Sequence, residues 1–89
     1  MKIKITPEEL NSFDGYCEIK EVGLGIASRL DDRDYLITVI HEGLEALIAR
    51  NIWELPVTHN QVIEIAEGLG KILFGIGIRI SKESYEVEI

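Results

Sequence analysis

This 89-residue chain has one cysteine, two prolines, one tryptophan and no run of basic residues. The single thiol, Cys17, excludes an intramolecular disulfide. It reads as a small hydrophobe on a strand, where apolar burial keeps a thiol inert. Nine Lys and Arg stand against sixteen Asp and Glu, for a net charge of −7. Binding to nucleic acid needs clustered cations that neutralise phosphates, so no nucleic-acid partner is expected. The acidic balance favours solubility and suits a basic protein partner. No apolar run approaches a membrane span, and Met1–Ile5 lacks the long apolar core of a secretion signal. The expectation is a cytoplasmic protein with no membrane partner. Repeats, low-complexity segments and internal linkers are also missing, so residues 1–89 read as a single domain.

What is present is an ordinary globular composition, 46% hydrophobic and 28% charged. A chain of this size buries only about 60–65% of its unfolded surface, which leaves a thin stability margin. Met1–Ile5 alternates apolar and basic residues and predicts a short strand. Thr6-Pro7-Glu8-Glu9 has the form of a capping box with proline at the first helical position, predicting a brief helix to about Ser12. After the Asp14-Gly15 turn signal, Tyr16–Val22 and Leu24–Leu30 read as two strands joined near Gly23. Leu24, Ile26, Ser28 and Leu30 share one face at period two.

Asp31 is placed to cap a helix running from Asp32 to about Arg50. Leu36, Ile37, Ile40, Leu44, Leu47 and Ile48 form its expected core stripe. Asn51–Pro56 reads as a loop in which Trp53 seals the core. Thr58-His59-Asn60-Gln61 is a second capping box, starting a helix whose apolar face is Val62, Ile65, Ala66, Leu69, Ile72 and Leu73. Gly68 and Gly70 cost that helix about 1 kcal/mol each relative to alanine, and close packing on the preceding helix is one reason to keep them. Ile76, Ile78 and Ile80, then Tyr85, Val87 and Ile89, alternate around a polar Ser81–Ser84 turn and predict a C-terminal hairpin or edge strands. The fold class is α+β: a small antiparallel β-sheet packed on two antiparallel helices.

The chemistry concentrates in His41-Glu42-Gly43-Leu44-Glu45, and His59 follows eighteen residues after His41. His41 and Glu45, four apart on a helix, point the same way and can grip one metal ion. Glu42 projects to a neighbouring direction, where it can accept a proton from a water on the metal. This is the H-E-x-x-H zinc pattern with glutamate in place of its second histidine. A catalytic zinc needs about three protein ligands and an open position. The third is His59 or, in reserve, Glu67 two turns further on. The bland alternative is a rim histidine beside a solvated acidic face, and a chance match to the pattern occurs on the order of a per cent of the time in a chain this long. The Gly68-Leu69-Gly70-Lys71 segment fails as a phosphate loop, because Ile72 stands where Ser or Thr is required.

Thr38-Val39-Ile40-His41-Glu42-Gly43-Leu44-Glu45-Ala46, followed by Leu55-Pro56-Val57-Thr58-His59-Asn60-Gln61-Val62, resembles a family of small phage and prophage zincin-like proteins described as metallopeptidase-like. The resemblance spans most of residues 15–74. It implies His41, Glu45 and His59 as ligands of one divalent zinc ion and Glu42 as general base. The implied function is zinc-dependent hydrolysis of a peptide or protein substrate, laid beside Leu24–Leu30 as an edge strand. The alternative expectation is a non-catalytic phage-encoded inhibitor that keeps the zincin frame and engages a host protein through its acidic surface. A third is a purely structural metal site.

Overall fold

The computed structural model describes residues 1–18, 23–50, 54 and 56–89. Its elements run β1 (Lys2–Glu8), β2 (Gly15–Glu18), β3 (Gly23–Ala27), α1 (Asp32–Ala49), α2 (His59–Gly75) and β4 (Tyr85–Glu88). The class is α+β. Strand order in the sheet is β2-β3-β1-β4. The expected β2–β3 hairpin forms, with Tyr16 opposite Gly25 and Cys17 opposite Leu24.

The sheet departs from the expectation by being mixed. The hairpin docks through its second strand, so β3 lies parallel to β1 while β4 closes antiparallel on the other side. Thus β3 is an interior strand, and the edges are β2 and β4. An extended partner cannot pair beside Leu24–Leu30; the free edge nearest α1 belongs to β2.

The first predicted helix is also overturned. Thr6, Pro7 and Glu8 continue β1 and pair with Gly25, Ile26 and Ala27. The long-range ladder outcompetes a local cap that offers only one helical turn. Proline is tolerated because β4 pairs only with Lys2–Ile5, so the β4 side of β1 is already an open edge at Pro7. At the C-terminus, only Tyr85–Glu88 forms a strand, and Ile76–Ile80 is not its hairpin partner. That segment turns the chain away from α2 instead. Gly77 takes a positive φ of 98°, and the Gly77 and Ile78 amides donate to the Phe74 and Leu73 carbonyls at the helix end. Trp53 and the loop assigned to it lie largely outside the described residues.

The core gathers Ile3, Leu24, Ile26, Ala27, Leu30, Tyr35, Ala46 and Leu47 between the sheet and α1. Tyr35 and Ile26 are the largest side chains sealed completely, each worth about 1.5–3 kcal/mol of burial. From the expected α1 stripe, Leu36 and Leu47 are buried, while Ile37, Ile40, Leu44 and Ile48 are only half-buried. The most enclosed face is rotated toward Tyr35, Thr38, Glu42 and Ala46, because β2 and β3 cover that side. On its other flank α1 packs against α2. Gly70 sits at this crossing: a β-carbon there would stand 3.2 Å from Ile37 Cα and overlap Ile37 Cγ1. Gly68 has no such reason, because open space surrounds it. No helix among the described residues is long and apolar enough to cross a membrane.

Candidate metal centre

Two local caps set the starts of the helices that carry the site. The Asp31 carboxylate accepts from the Asp34 amide at 2.8 Å and starts α1. Thr58 and Gln61 satisfy one another's backbone amides, at 3.2 and 2.8 Å, and start α2 with His59 as its first residue. At about 100° per residue, Glu45 falls between His41 and Glu42 around α1. His41 faces α2, lining a cleft with Ile37, Ile63 and Ala66. Glu42 faces the sheet, where a β-carbon on Gly15 of β2 would stand 3.1 Å from its Cγ.

The structure brings His41, Glu45 and His59 together. His41 Nε2 is 3.1 Å from Glu45 Oε1, and His59 Nδ1 is 2.5 Å from the same oxygen. The two imidazole rings are 5.6 Å apart and tilted by 52°. One donor atom from each residue lies within 4.8 Å of the others. One carboxylate oxygen meets two ring nitrogens, and the three donors lie close enough together to surround one small cation. Two imidazoles and a carboxylate also form a donor set suited to zinc. The chemistry of these side chains therefore fits a divalent ion. A cleft of about 240 Å³, lined by Glu45, Ile48, Val57, His59 and Val62 among others, opens beside the cluster.

Glu67, the reserve ligand, does not join. It pairs with Lys71 at 2.9 Å, one turn along α2, and that cation holds its carboxyl below the ordinary value. Glu42 lies against the cluster but is nearly sealed, with 7% of its surface exposed. Its Oε1 is 4.0 Å from His41 Nδ1. Burial pushes its carboxyl above the ordinary value; Glu45 adds to the rise, while His41 and His59 oppose it.

Sequence reasoning missed Cys17 as a neighbour of this site. The thiol is on β2 as expected, yet its sulfur lies within 4.8 Å of carboxylate oxygens of both Glu42 and Glu45. Burial raises its pKa first, and the two carboxylates raise it further. The hairpin that carries it was legible in the sequence, but the face of α1 it covers was not.

No protein-family model matches this sequence, and no curated protein or solved structure is significantly similar to it.

Proposed function

We propose that this chain is a zinc-dependent hydrolase of peptidase type. The reading is supported chiefly by one contact: the Glu45 oxygen that meets both His41 and His59, with Glu42 enclosed beside it. His41 and Glu45 hold the ion from one helix face and His59 from the first turn of the other. Bound zinc supplies a Lewis acid that polarises a carbonyl and lowers the pKa of a water. Glu42 accepts the proton of the attacking water and returns it to the leaving nitrogen. Its enclosed position favours that exchange, since burial brings a carboxylate toward the working pH of a general base. The unpaired edge of β2, which carries Cys17 beside Glu42, offers backbone groups for an extended peptide.

Elemental analysis of gently purified protein is the first test, with one zinc per chain expected. His41→Ala and His59→Ala should each abolish retention. Glu42→Gln should keep the ion while hydrolysis of a peptide library falls by about 10²–10⁴-fold. A protein that binds no zinc sinks the reading altogether, and unaltered hydrolysis in Glu42→Gln removes the assigned base.

A further inference from the structure

The second cluster of donors, Cys17, Glu42 and Glu45, lies on the sheet side of the same helix. We propose that these three residues form a second divalent-cation position, joined to the first through the shared carboxylate of Glu45. This rests on the metal reading above and extends it.

Three observations carry the assignment. First, the two clusters, His41–Glu45–His59 and Cys17–Glu42–Glu45, each draw their donor atoms within 4.8 Å and have only Glu45 in common. Glu45 occupies the direction between His41 and Glu42 around α1, so its carboxylate is central to both. A carboxylate has two oxygens and can serve two ions at once. Second, Glu42 is more than nine-tenths buried and turned into the cluster. A ring nitrogen of His41 lies 4.0 Å from its Oε1. Third, among the described residues Glu42 and Glu45 have no lysine or arginine partner; their ion pairs run only to His41 and His59. A thiol and two carboxylates converge there without a fixed cation. One sulfur with two oxygens suits zinc or cobalt rather than magnesium or calcium. Filling this position engages Glu42 as a ligand and so withdraws it from proton transfer, making the second ion an inhibitor.

Cobalt(II) titration of the metal-free full chain separates the two positions, because thiolate ligation produces an intense near-ultraviolet charge-transfer band and imidazole or carboxylate ligation does not. Two equivalents are expected, with the band growing only during the second. Cys17→Ser should lose the band and one equivalent while binding the first unchanged. Glu42→Gln, which leaves the thiol in place, should weaken the second equivalent tenfold or more and spare the first. A single equivalent without the band overturns the second position and leaves the first standing. A band that grows with the first equivalent assigns Cys17 to the histidine-bound ion and also overturns it. Absence of any uptake removes both the extension and the reading beneath it.

Discussion

The two helices begin with similar apolar content and end in opposite circumstances. Between Asp34 and Ile48, α1 has no exposed residue, whereas α2 buries only Val62, Ala66 and Gly70. The cause is the number of neighbours. α1 is held between β2 and β3 on one side and α2 on the other, while the main neighbour of α2 is α1 alone. The apolar arc of α2 is wider than the strip α1 can cover. Ile65, Leu69 and Ile72 consequently stay 44%, 47% and 62% exposed, and Ile76, just past the helix end, 72%. An amphipathic pattern identifies the apolar arc of a helix, but the topology decides how much of that arc is covered.

The sharpest way to break this contrast is truncation. Tyr35→Ala on α1 should cost about 3–5 kcal/mol in urea unfolding, by analogy with other large aromatic truncations. Ile72→Ala on α2 should change stability by less than about 0.5 kcal/mol. Equal losses would mean that the two faces are equally covered. Glycine replacement sharpens the point within α2 alone. Gly70→Ala forces a methyl into Ile37 and should lower stability by about 1–3 kcal/mol. Gly68→Ala meets nothing and should raise it by up to about 1 kcal/mol. A stabilising Gly70→Ala would overturn the close crossing of the helices.

The smallest effect concerns the enclosed carboxylate of α1 in metal-free protein. Because the folded pKa of Glu42 is raised, the folded state binds its proton more tightly than the unfolded chain does. Stability therefore falls as pH rises from the ordinary carboxylate range through the raised value, and the penalty is complete above it. Glu42→Gln should raise the melting temperature near neutral pH, with the gain shrinking toward pH 4 as wild-type Glu42 becomes protonated. The matching substitution on α2, Glu64→Gln, lies on an exposed position and should change stability by less than about 0.5 kcal/mol. A gain that persists undiminished at low pH would separate the effect from the buried charge.

Features determined by neighbouring residues were legible in the sequence, and features determined by distant pairing were not. Asp31 and Thr58 mark both helix starts because a cap involves residues only three apart. The α1 end is likewise legible to within a residue. Thr6-Pro7-Glu8-Glu9 carried an equally good cap signal, yet β3 captured the segment as a strand. Nothing near Tyr85 indicates that β1 is its partner. The same division runs through the site. His41 and Glu45 follow from helical spacing, and Glu67 is diverted by a lysine four residues on. The approach of Cys17 depends on which face of α1 the hairpin covers, which only the assembled sheet decides.

The reciprocal bonds between Thr58 and Gln61 make the start of α2 an indexing stop. A residue added upstream of Thr58 changes the connecting length but leaves the angular setting of His59 within its helix intact. One inserted between His59 and Val62 turns the imidazole by about 100° relative to the face that packs on α1 and swings it away from Glu45. Alignment of the histidine is thus decoupled from the span that delivers it, and length variation in that span leaves the donor's bearing alone.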